Sequence, residues 1–252
     1  SLRVAVVDEE LPYPANSGKR IRTLNLLLQL ARRHRITYLC HRNADPDEAS
    51  AAEHFFREHD ITTIVVDRAV PRQQGLGFYG RLAANLLSPH PYSVQVHASH
   101  ALQKAIRDHD AAHQVDLWHC EWTPYAQSLD QNVHAPWVVT AHNVESLIWQ
   151  RYHETESNPL KRWYIKRQWA KFERFERRVF ASATRTIAVS EADAALARDR
   201  FRADRVSVVD NGVDAAYFRP DGAPRDANTV LFLGSLDWRP NLDAARLLVE
   251  TV

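Results

Sequence analysis

The sequence predicts an α/β protein built on a parallel sheet with helices on both faces, and three observations lead there. Short apolar, β-branched runs of roughly 5–7 residues alternate with helix-periodic stretches along most of the chain. Parallel strands need long crossover connections, which the intervening helices supply. The composition, 45% hydrophobic and 25% charged over 252 residues, suffices to bury a large core.

Taken in order, Val4–Asp8, Arg35–Cys40, Ile61–Asp67, Val115–Cys120, Trp137–Ala141 and Thr184–Val189 read as buried strands. Lys19–Arg33, Asp47–His59, Leu76–Leu87, Ala98–Asp110, one long segment from Val144 to about Phe180, and Glu191–Phe201 carry helical periodicity. A seventh strand, Arg205–Val209, runs into the turn Asn211-Gly212. The prolines and glycine of 214–228 mark a linker, after which Thr229–Leu233 reads as a strand and Asn241–Val252 as a helix. A lone strand and helix cannot bury a core, so 229–252 reads as the opening of a second α/β domain in a chain that is a fragment. The expected organisation is a first domain over 1–214, a linker over 215–228 and the start of a second domain over 229–252.

Several function classes fall away. A net charge of +1 gives no global field toward nucleic acid. Two cysteines cannot make a disulfide framework and favour a reduced, cytoplasmic setting, and no apolar run approaches the ~18–20 residues that span a bilayer. Gly75, Gly77 and Gly80 imitate a dinucleotide fingerprint but lack the strand directly before and the acidic residue beyond. There is no G-x-S-x-G elbow, no phosphate-loop motif and no metal-ligand spacing around His119, Cys120, Cys40 and His41, so no metal is expected.

Ligands of such sheets sit at the carboxyl ends of the strands. After the first strand, Asn16-Ser17-Gly18 opens a helix. Its free N–H groups form an anion or hydroxyl site with Gly18 admitting close approach, or Ser17 simply caps it. After the fifth strand come His142, Asn143, Val144 and Glu145. A neutral imidazole there hydrogen-bonds a sugar hydroxyl, or it caps the next helix. Glu121 follows the fourth strand and faces the same crevice. Ser190 to Asp193 outline a capping box. In Lys161–Arg178 eight Lys or Arg interleave with five aromatics against Glu173 and Glu176. This is a long helix packed by its apolar stripe, its cations solvated or else meeting anionic membrane headgroups.

Pro12 to Arg22, H-N-V-E (142–145), A-V-S-E-A-D (188–193), D-N-G-V-D (210–214) and G-S-L-D-W-R-P-N (234–241) occur in this order. Together they resemble the retaining nucleotide-sugar glycosyltransferases of family 4, nearest those of bacterial exopolysaccharide clusters. The resemblance implies a GT-B architecture of two Rossmann-like domains, the first on the acceptor side and the second binding the nucleotide-sugar donor.

By the same likeness His142 would hydrogen-bond the transferred sugar as the catalytic group. Ser17, Gly18, Arg22, Glu121, Asn143 and Glu145 would line the substrate side, Asn211 would sit at the hinge, and Gly234 would begin the loop cradling the donor phosphates. No cofactor and no metal is implied, and the departing diphosphate itself helps deprotonate the acceptor hydroxyl of a saccharide or lipid-linked saccharide. Relatives often carry Arg directly after the glycine and Lys six positions on. Here Ser235 and Pro240 stand there, leaving Arg239 the nearest cation, and Asp210 replaces a common Pro. The donor-site glutamates would lie beyond Val252, so the fragment alone is expected to be inactive. The enzyme would work in the cytoplasm, at the inner membrane face if the basic helix docks there. Two rival readings share the shape: a non-catalytic sugar- or membrane-binding module, and a GT-B sugar epimerase using Glu121 and Glu145.

Overall fold

The computed structural model describes residues 1–68, 74–112, 115–130, 132–220, 222, 226–236 and 239–251. The chain divides into two compact units, Ser1–Gly212 and Val213–Val252.

The first unit is a seven-stranded sheet of β1 (Arg3–Val7), β2 (Arg35–His41), β3 (Thr62–Val66), β4 (Leu117–Cys120), β5 (Trp137–Ala141), β6 (Arg185–Ala188) and β7 (Val206–Val208). The strands lie in the order β3-β2-β1-β4-β5-β6-β7, and every neighbouring pair is parallel. Strand order runs outward from β1 through β2 and β3, then restarts beside β1 with β4. Connections therefore diverge between β1 and β4, which opens a crevice at their carboxyl ends.

Period-two alternation splits the core in two. Ala5, Val7, Leu39, Trp118, Cys120, Val139 and Ala141 face one side, with Leu102 and Ile106 of α5 (His100–Ala112) and Phe172, Phe175 and Val179 of α7 (Pro159–Ser182). Val4, Val6, Ile36, Tyr38 and Cys40 face the other, under Leu24 and Leu27 of α1 (Gly18–Ala31) and Ala52 and Phe56 of α2 (Pro46–Glu58). On this second side α1 borders an open groove of about 810 Å³ floored by Leu117, His119, Val138, Thr140 and Ile187.

The remaining helices are α3 (Leu76–Asn85), α4 (Tyr92–Val96), α6 (Glu145–Thr155), α8 (Glu191–Phe201) and α9 (Arg239–Thr251). Two sequence expectations are corrected in this unit. The stretch ahead of β4 holds α4 as well as α5. The single helix expected from Val144 to about Phe180 is two, because Pro159 has no N–H to continue α6 and holds Asn158 extended at φ −74°, ψ 119°. Asn158 then caps α7, its side chain accepting from the N–H groups of Leu160 and Lys161.

In the second unit, Thr229–Leu233 is not a strand. A strand exists only through its ladder, and among the described residues of 213–252 no second strand offers one. Helix α9 does form, and Val252, the expected end of that helix, lies outside the described residues, as does Pro224 of the expected linker.

Candidate functional site

The loops leaving β1, β4 and β5 converge at the crevice. Asp8 directly follows β1 and is 1% exposed; its carboxylate accepts from Lys19 Nζ at 2.5 Å and from the Tyr38 hydroxyl at 2.7 Å. Lys19 belongs to the first turn of α1, where the Ser17 hydroxyl caps by accepting from Arg20 N–H. Burial lowers the pKa of Lys19, but the charge of Asp8 and its hydrogen bond outweigh that and raise it, so the ammonium is fixed. It stands 4.9 Å from the centre of the Trp122 ring. Around Gly18 there is open space within the reach of a methyl group.

Glu121, after β4, is the hub. Its Oε1 accepts from Thr23 Oγ1 of α1 at 2.8 Å and lies 3.1 Å from His142 Nε2, while Oε2 lies 3.1 Å from His119 Nε2. Burial would raise the pKa of this carboxyl, but the His119 charge and hydrogen bonds from His142 and Thr23 bring it down to about 2. An ionised carboxylate only accepts, so Nε2 of His142 carries the proton and donates. In a neutral ring that leaves Nδ1 as the acceptor. The His142 side chain is 12% exposed at the end of β5, a group held in place with one nitrogen to spare.

Glu145 opens α6, and its Oε1 accepts from Trp122 Nε1 at 3.0 Å, while burial raises its pKa. Asn143 is exposed beside it. Thus α1 and the β4 and β5 loops, carrying Ser17, Gly18, Glu121, His142, Asn143 and Glu145, are tied by Thr23–Glu121–His142 and Lys19–Trp122–Glu145.

Three of the expected residues are also held by bonds inside the protein. Arg22 was expected to meet substrate, yet it is 8% exposed and donates to Val209 O, Asp210 O and Asn211 Oδ1 at 2.7–2.9 Å. It braces the loop after β7, and the Asn211 side-chain carbonyl oxygen is part of the same brace. Glu121 likewise has both oxygens engaged inside the protein, with Thr23 and His142 on Oε1 and His119 on Oε2, which makes it an orienting group for the histidines.

Gly234 and Arg239 belong to the second unit. A Cβ on Gly234 would fall 3.0 Å from the Asn241 side chain, so this loop lies tightly on the first turn of α9; the Arg239 side chain is outside the described residues.

Asp8, Lys19 and Thr23 are additions to the expected set. Lys19 directly follows Gly18 and Asp8 directly follows β1, so position alone could have found both. Beyond them Arg68 donates to His97 Nδ1, to the Tyr125 hydroxyl and to Val96 O, with His41 Nδ1 3.2 Å from the same hydroxyl. Burial, then the Arg68 charge, pushes His97 down to about 3 and His41 to about 4. Among the described residues no cluster of three metal-ligating side chains occurs, and no helix is long and apolar enough to cross a membrane.

The sequence profile of Glycosyltransferase Family 4 matches residues 17–217. The chain belongs to that family. No curated protein matches this family 4 chain by sequence. Among solved structures, UGT89C1 of Arabidopsis thaliana, in complex with UDP-L-rhamnose, is similar at a TM-score of 0.50 and 13% identity, over 100% of this chain and 64% of that one. UGT71G1 of Medicago truncatula, in complex with UDP-glucose, is similar at 0.51 and 13%, over 84% and 51%. The chain thus spans between half and two thirds of their length. At this identity the likeness speaks for the fold, a GT-B glycosyltransferase fold, as the family resemblance implied. A parallel seven-stranded sheet with flanking helices is what these family 4 residues build.

Proposed function

We propose that this glycosyltransferase moves a sugar from a nucleotide-sugar donor to a hydroxyl of a saccharide or lipid-linked saccharide, with retention, in polysaccharide assembly of the exopolysaccharide kind in the cytoplasm. The observation that carries the reading is the His142–Glu121 pair at the crevice, in a chain of this family. The bond from the anomeric carbon to the diphosphate breaks, the acceptor oxygen bonds that carbon on the same face, and its proton passes to a phosphate oxygen. No enzyme nucleophile and no cofactor or metal enters, so positioning and charge stabilisation dominate the rate.

Each residue then has a task. His142, fixed through Nε2, offers Nδ1 to a hydroxyl of the transferred sugar. Lys19 is the permanent cation of the crevice and, with the α1 N-terminus at Ser17 and Gly18, answers developing phosphate charge. Asn143 and Glu145 contact the acceptor side. In the second unit, Gly234 begins the loop that meets the donor phosphates, with Arg239 as its cation.

The test is turnover of the full-length protein on a panel of UDP- and GDP-sugars. His142→Ala should lower kcat by roughly 10²-fold, the loss of one transition-state hydrogen bond in a dry site. An Ala variant with unimpaired kcat would remove His142 from the chemistry.

A further inference from the structure

Helix α7 has 24 residues and is about 36 Å long, roughly twice the length of a five-residue strand. Its buried face begins at Gln168 and continues through Phe172, Phe175 and Val179. Its C-terminus hands the chain directly to the start of β6, so the preceding part, 159–167, extends toward and past the carboxyl edge of the sheet.

Helix α3 starts on that same side, following β3. The two helices are bolted together: Gln168 Nε2 donates to Asn85 Oδ1 at 2.8 Å and Lys171 Nζ to Asn85 O at 2.5 Å. Tyr92 N–H donates to Gln168 Oε1, and the Tyr92 ring stands 6.0 Å from that of Phe78 in the first turn of α3.

The outer ends of these two helices are apolar and exposed. Leu76 is 90% exposed and Tyr79 66% on α3; Leu160 is 74% and Trp163 45% on α7. Around them stand exposed Lys161, Arg162 and Lys166, with Arg167 stacked 5.5 Å from the Trp163 ring centre. Stretches 74–87 and 157–172 contain no Asp or Glu at all, although the whole chain is nearly neutral at +1. Solvated ion-pair networks mix signs; these two stretches do not.

We infer that the outer ends of α3 and α7 form a docking surface for an anionic lipid bilayer. The cations meet headgroup phosphates, Trp163 and Tyr79 suit the headgroup layer with its mixed polarity, and Leu76 and Leu160 reach the acyl boundary. A phosphate polymer such as nucleic acid would engage the cations and leave the leucines in water, which is why the bilayer is the better partner. On the function proposed above, such docking would hold the protein at the surface that carries a lipid-linked acceptor.

The purified protein is sedimented with vesicles of phosphatidylcholine alone and of phosphatidylcholine with roughly one third phosphatidylglycerol. It should pellet with the anionic vesicles only, with Trp fluorescence shifting to the blue, and bind less as salt rises. Lys161→Glu with Lys166→Glu should weaken binding by at least about tenfold, and Leu160→Ser should weaken it at unchanged surface charge. All three positions are exposed, so unchanged circular dichroism and Tm show that the fold is intact. Equal binding to neutral vesicles, no binding by a folded wild type, binding untouched by these variants, or self-association through this surface without lipid would each overturn the assignment. Because the readout needs no turnover, it fails or stands separately from sugar transfer.

Discussion

A single carboxylate sets the state of two imidazoles at the crevice, and its titration is measurable. Glu121 is 5% exposed and is held at about 2 against an ordinary 4.5. A depressed acid contributes stability above its unfolded pKa and loses it as pH falls through the folded one. Wild type should therefore exceed Glu121→Gln by about 3 kcal/mol in urea titrations at pH 7, and the gap should close between pH 4.5 and 2. A gap of the same size at pH 7 and pH 3 would mean that the carboxylate is not held in its charged form.

His142 and Glu121 are readable from the chain because each directly follows a strand whose apolar run is plain, and Glu145 lies in the short loop after one of them. The true partners of Arg22 are not, since they lie 187–189 residues away and long-range pairing leaves no local spacing signal. Asp8 is hidden for the opposite reason: it is so local that it reads as the last residue of its strand.

Among the elements, α6 depends on a residue outside itself. Its first N–H groups, those of Glu145 and Ser146, donate to the fully buried Glu176 of α7, whose pKa burial raises to about 7. The carboxyl caps this helix while desolvated, so the fold favours its protonated form. Here the stability is fully present below pH 4.5 and is lost as pH rises through 7, by about 3 kcal/mol. Glu176→Gln should abolish that decline, seen as a denaturation midpoint that gains on wild type between pH 4.5 and 7; parallel curves would refute it. The break ahead of α7 was in plain sight as Pro159, yet periodicity on both sides masked it, because α6 and α7 both present apolar residues to the same core. Thr229–Leu233 erred in the other direction: β-branched composition describes what a strand would use, while the ladder requires a neighbour that sequence cannot count.

For the molecule as a whole, acid should be the weak side. His41 and His97 are neutral in the fold, at about 4 and 3, through burial and the charge of Arg68. Bases depressed in this way contribute stability above pH 6.5 and withdraw it as pH falls toward 3, and Glu121 adds to the loss below 4.5. Glu176 opposes them between 4.5 and 7, as do Glu9 and Glu145, whose carboxyls burial also raises, while His90, lowered by burial, acts with the two histidines. The urea midpoint of the wild type should thus fall from pH 7 to pH 4, and His97→Gln should fall less steeply; a midpoint rising over that range would show that these rings charge without cost. The sheet itself was legible throughout, strand by strand, because parallel strands buried on two faces leave continuous apolar runs. The arrangement of side chains over it was legible only where they sat at strand ends.

The brace made by Arg22 carries one more implication. Residues 209–211 are the covalent path by which the chain leaves the sheet, and the guanidinium fastens that path to α1. The next residue of α1, Thr23, grips Glu121, which grips His142. The exit from the sheet therefore stands a short run of contacts from the imidazole, two side chains and one carboxylate long.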